Sequence, residues 1–427
     1  YPTGPLAVRI TGAAATQRWP MLTQSFPVEP GQRVLFRVLA KARGLRREAN
    51  QFANANALMI FRTEQGSRIS LLTSPVLLGD TDWVPLHVTA IAPAGSARVV
   101  VGIFASMSGS VTFDSAELTI APTDRTDPEA RRAAFEALRL HLARTYPFFG
   151  LVGKPKNASE LMPDPADPDF TAQLNRMLVG LKDTHVWYDD GGQRVYPGPR
   201  NTRPPNYNVY AVRTRLDPVL LEKRNRLIGQ IGDIGYVGLG SFMAGEFDGV
   251  EAVLDKLADA RALILDLRFC NGGDERLAQR IARRFATRPT VYARQQVRNP
   301  IHHDQTKFVD AGDRQILPGD SPDPRPVIVL QGPHCVSSGE GFLMMMRAIG
   351  GDVKTVGLPS RGASGNPKPF ELLPDLVVYS STWRSLLPDG TCIEGVGVPP
   401  MERFEAPNEA YLKGDPTLEH ALKLLAK

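Results

Sequence analysis

One segment of the sequence places a serine hydroxyl between a predicted strand and a predicted helix. The apolar run Pro326–Leu330 is followed by a Gly/Pro turn, and a helix is predicted to begin at Ser337-Ser338-Gly339-Glu340. The free N–H groups and the positive dipole end of a helix N-terminus favour negative charge that develops beside such a hydroxyl. The spacing Ser337-x-x-Glu340 is also that of a capping box, which needs no chemistry. The segment alone therefore leaves a nucleophile and a helix cap open.

A second segment ends a predicted buried strand in two glycines. The apolar run Ala262–Leu267 is followed by Asn271-Gly272-Gly273. Glycine lacks a Cβ atom, so the backbone can approach a ligand closely with its N–H exposed. The pattern fits a ligand-binding turn and equally an ordinary strand-to-helix turn.

Two further residues could act as a base and as its partner. His185 lies in Gly180-Leu-Lys-Asp-Thr-His185-Val-Trp, directly after a predicted helix, and an imidazole titrates near neutrality. Glu394 follows Asp389-Gly390, which is a hairpin turn signal. Taken singly, His185 is an ordinary histidine and Glu394 a solvated surface carboxylate.

Together these segments resemble, in order, the motifs of the tail-specific (C-terminal processing) protease and tricorn-core family of serine peptidases. The matching segments are Leu181–His185, Gly235-Tyr236-Val237, Asp266–Gly273, Ser337–Glu340, Gly357–Pro367 and Asp389–Pro400. The resemblance covers roughly residues 130–427 and depends on the ordered set, not on any one motif. It implies an α/β catalytic core of the ClpP/crotonase-like type and hydrolysis of peptide bonds through an acyl-enzyme. A catalytically silent protein on the same core, which binds a hydrophobic ligand or a glycan, is the alternative.

The resemblance distinguishes two catalytic designs within the family. The Ser/Lys branch has a lysine in the turn after the Gly-x-Pro strand, where this chain has Ala363, and Lys354 and Lys368 lie out of register. The tricorn-like branch uses a histidine, a hydroxyl residue before it, and a glutamate after the Asp-Gly turn. All three are present, so the resemblance implies a Ser-His-Glu peptidase with Ser337 as its nucleophile.

The implied roles follow from the chemistry of acyl transfer. His185 is the general base, and Glu394, acting through Thr184, orients the imidazole and offsets its charge. By resemblance, the backbone N–H groups of Gly273 and Ser338 form the oxyanion hole, each contributing about 3–4 kcal/mol.

Neither a metal nor a cofactor is expected. No metal-ligand spacing in the sequence is convincing, and His302-His303-Asp304 is interpreted as a polar loop. Each cysteine lies beside a candidate motif, as Cys270, Cys335 and Cys392 precede Asn271, Ser337 and Glu394. Small buried residues at strand ends are the simpler interpretation, and a disulfide or an oxidation-sensitive thiol is the alternative.

The spacing of the motifs leaves little room for a PDZ module, which many relatives carry. His185 and Gly232 are only 47 positions apart, too few for such a module with its linkers. The stretch 194–226 between them is dense in cations, which suits carboxylate recognition as well as a solvated loop. We expect one or two of the following residues to bind the free C-terminus of a substrate: Arg194, Arg200, Arg203, Arg213, Arg215, Lys223, Arg224 and Arg226.

The elements that must position these residues predict a multidomain protein. Residues 1–123 alternate apolar and polar positions between Gly/Pro turns, which predicts an all-β, jelly-roll-like sandwich. Its segment Val111–Leu118 resembles the last strand of carbohydrate-binding modules, and Trp19 and Trp83 could stack on sugars, although a buried core position is the simpler interpretation.

The rest of the chain changes its pattern twice. Residues 124–192 predict helices, the first capped at Asp127-Pro128. Residues 193–427 alternate strands and helices, which is typical of an α/β core. The predicted strands there are Ile234–Leu239, Ala262–Leu267, Pro326–Leu330 and Leu376–Ser380.

Composition narrows the classes of partner. The 427 residues exceed what one hydrophobic core usually holds, and no apolar run reaches the length of a membrane span. The net charge of +5 is spread without long runs of Lys and Arg, which argues against nucleic acid. A peptide or protein substrate is the expected partner, and the N-terminal domain could add carbohydrate. The start at Tyr1-Pro2 without Met is typical of a mature chain, so we expect an exported protein, periplasmic or extracellular.

Overall fold

The computed structural model describes residues 7–12, 21–46, 55–74, 76–77, 79–105, 108–151, 153–161, 169–198, 201–223, 226–247, 250–298 and 308–426. Their strands are β1 (Val8–Gly12), β2 (Met21–Pro27), β3 (Arg33–Arg46), β4 (Ala55–Arg62), β5 (Arg68–Thr73), β6 (Gly79–Ile91), β7 (Arg98–Ala105), β8 (Ser108–Ala121), β9 (Trp187–Asp190), β10 (Gln193–Val195), β11 (Val219–Lys223), β12 (Arg226–Ile231), β13 (Ile234–Leu239), β14 (Ala262–Asp266), β15 (Thr290–Arg298), β16 (Phe308–Ile316), β17 (Val327–Gln331), β18 (Val353–Gly357), β19 (Lys368–Leu373), β20 (Leu376–Ser380), β21 (Trp383–Leu386) and β22 (Glu402–Arg403). Their helices are α1 (Pro128–Thr145), α2 (Phe170–Gly180), α3 (Val209–Arg215), α4 (Ala244–Phe247), α5 (Val250–Asp255), α6 (Glu275–Ala282), α7 (Ser338–Ile349), α8 (Asn408–Lys413) and α9 (Pro416–Leu425), with a short 3₁₀ helix at Ala158–Leu161. No helix within these ranges is long and apolar enough to cross a membrane.

The chain divides into two compact units, each built from three separate segments. Unit 1 comprises residues 1–199, 296–312 and 366–383, and unit 2 comprises residues 200–295, 313–365 and 384–427. The boundaries expected from the sequence, at 123 and 192, cut the chain once each. A division by contacts does not test them, and they stay predictions.

Unit 1 begins with two four-stranded antiparallel sheets, ordered β1-β8-β3-β6 and β2-β7-β4-β5. Alternate residues of both sheets, such as Phe36 on β3 and Val101 on β7, enter one shared apolar cluster. This alternation is the period-2 pattern of the sequence, because successive side chains of a strand point to opposite faces. The N-terminal β sheets are therefore confirmed.

The remainder of unit 1 is helical and ends in a third sheet. The side chain of Asp127 accepts the N–H of Glu129 and caps α1, as the sequence predicts. Helices α1 and α2 pack against a sheet ordered β10-β9-β20-β19 over a second apolar cluster that includes Leu138, Leu174 and Val378. Strand Leu376–Ser380 therefore lies outside the α/β sheet for which it was predicted. The reason is its antiparallel hairpin with Lys368–Leu373, a pairing that the apolar pattern of one strand does not encode.

Unit 2 is organised by a seven-stranded mixed sheet ordered β11-β12-β13-β14-β17-β18-β22. From β13 to β22 the neighbours are parallel, and parallel sheets bury both faces. Leu265 and Val329 face one apolar cluster, whereas Ile264 and Ile328 face another. The predicted strand Ala262–Leu267 is β14, and Pro326–Leu330 is β17 shifted by one residue. The α/β core is confirmed in its mixed form, and its two central strands lead directly to the candidate site.

Candidate active site

Ser337 occupies a strained turn between β17 and α7. Its φ is 57° and its ψ is −126°, a conformation that residues with a Cβ rarely adopt. Such a conformation costs about 1–3 kcal/mol and persists only where the surroundings enforce it. A serine on a sharp strand-to-helix turn is the arrangement that presents the nucleophilic hydroxyl in the α/β-hydrolase fold.

The turn Asn271-Gly272-Gly273 packs directly against Ser337. Gly272 has a φ of +83°, and a Cβ atom added to it would lie 2.5 Å from the Cβ of Ser337. Only glycine fits this position, because both its backbone conformation and the contact exclude a side chain. Ser338 Oγ donates to the carbonyl of Gly273 at 2.5 Å. The structure therefore brings together the two segments that the sequence selected separately.

Backbone hydrogen bonds fix the loops at the ends of the parallel strands. The N–H of Val336 donates to the carbonyl of Cys270 at 3.0 Å, and the N–H of Phe242 donates to the carbonyl of Gly272 at 2.7 Å. The carboxyl ends of neighbouring parallel strands meet at one edge of a sheet, which is where open α/β sheets bind ligands. The candidate nucleophile lies at this edge.

Glu340 is the centre of a buried hydrogen-bond network, a role beyond that of a helix cap. Its carboxylate accepts the N–H of Ser337 at 3.2 Å, the Oγ–H of Ser360 at 2.6 Å, and the N–H groups of Gly362 and Ala363 at 2.6 and 2.9 Å. Burial raises the pKa of Glu340, and these four donors oppose the shift. The N–H of Ser337 also donates to the carbonyl of Ala363 at 2.9 Å. The network ties the loop around residue 362 to the strained serine.

Glu394 is buried, with 9% of its surface exposed. The interpretation as a solvated surface carboxylate is therefore wrong. The N–H of the next residue, Gly395, donates to the carbonyl of Gly362 at 2.7 Å, and a Cβ atom on Gly397 would lie 2.2 Å from the carbonyl of Ser360. The turn that carries Glu394 thus packs on the same loop that Glu340 holds.

Ala363, the position at which the resemblance would expect the lysine of the Ser/Lys design, is buried. Ala363 is 2% exposed, whereas Lys354 on β18 and Lys368 on β19 are exposed.

His185 lies in unit 1, in the turn after α2, with Thr184 directly before it. The carboxylate of Asp183, which is fully buried, accepts the backbone N–H of His185 at 2.7 Å and the Oγ–H of Ser381 at 2.9 Å. Burial lowers the pKa of His185, the charge of Asp183 opposes this shift, and Lys154 adds to it. An imidazole that is neutral at physiological pH can accept a proton, which a general base must do.

A buried ion network accounts for the segment Asp266-Leu267-Arg268, to which the sequence analysis assigned no separate role. The guanidinium of Arg268, which is fully buried, donates to both carboxylate oxygens of Asp266 at 2.9 and 2.6 Å and to Asp415 at 2.7 Å. Tyr236 donates to the same Asp266 at 2.7 Å. Removing one member of such a network would leave a buried charge without compensation. No signal within the motif indicates Asp415, because it lies 147 positions away along the chain.

Several of the arginines in the stretch 194–226 have partners within their own unit. Arg194 pairs with Asp189 at 3.0 Å and Arg213 with Glu222 at 2.7 Å, whereas Arg203 donates to the carbonyl of Arg361 at 2.8 Å. A substrate carboxylate would have to compete with these contacts, and its binding here stays a prediction. Two other cations of this stretch, Arg200 and Arg224, lie outside the described residues, as do Trp19 and His302-His303-Asp304.

Two cysteines pack beside the candidate nucleophile. Cys270 and Cys335 are buried free thiols, so no disulfide joins them. Their sulfurs lie 3.1 and 2.8 Å from the position that a Cβ atom would take on Gly339. Burial raises the pKa of Cys335 well above its usual range, which disfavours the reactive thiolate.

The sugar-stacking candidate Trp83 is half-buried on β6.

The chain matches one family model and several solved structures. Residues 233–403 match the model of Peptidase family S41. A structure from Parabacteroides merdae ATCC 43184, described as a candidate peptidase, is 23% identical, with 70% of this chain and 97% of that chain covered and a TM-score of 0.59. This similarity shows a shared fold.

Two further structures are similar at lower TM-scores. The photosystem II D1 C-terminal processing protease is 15% identical, with 67% of this chain and 96% of that chain covered and a TM-score of 0.42. The tricorn protease is 20% identical, with 45% and 18% covered and a TM-score of 0.35. No curated protein matches the sequence significantly.

Proposed function

We propose that the chain, whose residues 233–403 match the model of Peptidase family S41, is a serine endopeptidase or C-terminal processing peptidase. The observation that carries the proposal is the strained φ of Ser337 at the start of α7, with the Gly272-Gly273 turn packed against it. The jelly-roll and ClpP/crotonase likenesses of its domains, and hydrolysis through an acyl-enzyme, are parts of the same proposal.

The proposed reaction has two stages. Ser337 Oγ attacks the scissile carbonyl carbon while its proton passes to the imidazole of His185. The N–H groups of Gly273 and Ser338 stabilise the oxyanion. The C–N bond then breaks as the leaving amine takes the proton from His185, and water repeats the sequence on the acyl-enzyme. Glu394, through Thr184, keeps the imidazole oriented.

Burial supports the Ser/His design over the Ser/Lys design. The buried position at Ala363 and the exposed lysines favour it, as does the buried carboxylate of Glu394. A peptide or protein is the proposed substrate, with carbohydrate a second ligand of the N-terminal sheets. We also propose export to the periplasm or the exterior, which fractionation of the producing cells tests.

Active-site labelling tests the proposal directly. A fluorophosphonate probe should label the wild-type protein and not Ser337→Ala, whereas Ser321→Ala, a change at an exposed serine, should label normally. His185→Ala should lose both labelling and peptide hydrolysis, and Lys354→Ala should keep both. A wild-type protein that neither labels nor cleaves peptides would favour the silent binding protein. Activity lost in Lys354→Ala and kept in His185→Ala would overturn the Ser/His design.

A further inference from the structure

Three aromatic side chains of unit 1 form an aromatic platform, composed of Trp187, Tyr196 and Tyr379. Trp187 on β9 lies directly opposite Tyr379 on β20, and their rings stack with centroids 4.9 Å apart and planes 12° apart. The ring of Tyr196 lies 5.9 Å from that of Trp187. The guanidinium of Arg194 lies 5.5 Å from the centroid of the same indole ring.

The platform lies on the face of its sheet that is turned away from the core. Tyr188 and Val378 enter the apolar cluster beneath α1 and α2. Because side chains alternate along a strand, their neighbours Trp187 and Tyr379 occupy the other face. Both are half-buried, and Tyr196 is 60% exposed. Core packing of this unit therefore does not account for the three rings.

Chain connectivity places the platform beside the proposed base. Trp187 follows His185 by two residues, so their Cα atoms are at most about 7 Å apart. The residue that carries the indole ring is therefore a close neighbour of the proposed base along the chain. This proximity favours the substrate of the reaction as the occupant of the platform.

The indole N–H of Trp187 indicates that the occupant of the platform also carries a hydrogen-bond acceptor. Trp187 Nε1 is buried and has no hydrogen-bond partner among the described residues. A buried donor in this state is destabilising, and an added acceptor would relieve the cost. A peptide supplies both an aromatic ring and a carbonyl oxygen next to it.

Charge at the platform is balanced. Arg194 pairs with the carboxylate of Asp189 at 3.0 Å, so the only cation stacked on the platform within the described residues is neutralised. An uncharged ring suits this surface better than a charged side chain does.

We propose that the platform of Trp187, Tyr196 and Tyr379 is a substrate subsite that binds an aromatic side chain close to the scissile peptide bond. The inference rests on the proposed function and adds to it a substrate class, namely peptides with Phe, Tyr or Trp near the cleavage position. An adjacent backbone carbonyl of the substrate accepts the N–H of Trp187.

The test compares matched peptides on matched variants. One peptide is cleaved next to a phenylalanine, and its partner carries alanine there. Tyr196→Ala and Tyr379→Leu should lower kcat/KM for the phenylalanine peptide about three- to tenfold, with less than a twofold change for the alanine peptide. Tyr210→Ala is the control, because that ring is 85% exposed on α3.

The outcomes separate this inference from the proposed function. Equal losses for both peptides, or none, in a protein that still labels at Ser337 would overturn the subsite and leave the peptidase intact. Absence of labelling and of all hydrolysis would overturn the proposed function and the subsite with it. Binding of a soluble oligosaccharide that Tyr196→Ala abolishes, without any effect on peptides, would assign the platform to sugars instead.

Discussion

The substitution Asp183→Asn removes one buried charge beside the proposed base and keeps the shape of the side chain. The carboxylate accepts the backbone N–H of His185 and the hydroxyl of Ser381, and it opposes the lowering of the pKa of His185 by burial. Burial and the charge of Lys154 both lower the pKa of His185, and the substitution removes the charge of Asp183 that opposes them, so this pKa should fall further.

The size of the effect follows from charges at this range. An opposite charge within a few ångströms shifts a pKa by about 1–3 units, so the loss of Asp183 should lower the pKa of His185 by at least about one unit. The base is active when neutral, and the acidic limb of kcat/KM should move to lower pH by the same amount. One weakened buried hydrogen bond should also lower the free energy of unfolding by about 1–3 kcal/mol.

Two measurements check this reasoning. The first is the pH profile of kcat/KM, and the second is an NMR titration of the His185 ring, which needs no activity. Asp190→Asn is the matched control, because it removes a carboxylate of the same unit that pairs with Arg125 at 2.6 Å. An acidic limb that stays in place or moves to higher pH in Asp183→Asn would refute the electrostatic role of Asp183.

Further predictions concern packing, thiols and pH. Gly339→Ala should lower the free energy of unfolding by about 1–3 kcal/mol, because the new Cβ atom would lie 2.8 Å from the sulfur of Cys335. The double variant with Cys335→Ala should recover part of this loss when both are unfolded in urea. An aromatic disulfide reagent should modify Cys392, which is half-buried, before the fully buried Cys335, and the reverse order in mass spectrometry would contradict this. Burial lowers the pKa of His87 and of His141 to about 4, so both are neutral in the folded protein and take up protons on unfolding below about pH 6.5. The free energy of unfolding should therefore fall between pH 6.5 and 4 by at most about 1.4 kcal/mol per pH unit for each histidine, and replacing both by Gln should reduce that slope.

The sequence predicts best what depends on neighbouring residues. The cap at Asp127 and the strand Ile234–Leu239 were predicted at their observed positions, because each depends on a local pattern. The burial of Glu394 was missed, since it depends on a loop that Glu340 holds from another part of the chain. The sheet of Leu376–Ser380 was assigned wrongly for a related reason, as pairing partners are not written in a strand's own pattern.

Motifs selected by resemblance stand between these cases. The Asn271-Gly272-Gly273 turn and Ser337 are 64 or more positions apart, and nothing in either segment alone indicates the other. The ordered set of motifs indicated both, and the structure packs Gly272 against Ser337.

The division of each unit into three chain segments limits how recombination can exchange the units between genes. The chain passes from one unit to the other at 199/200, 295/296, 312/313, 365/366 and 383/384. Exchanging either unit between two genes as an intact body would need breakpoints at all five places at once. A single recombination event would instead produce a hybrid with mismatched segments inside both units. The proposed base and nucleophile, one in each unit, should therefore descend together, and substitutions in one segment should be compensated in segments far away in the gene.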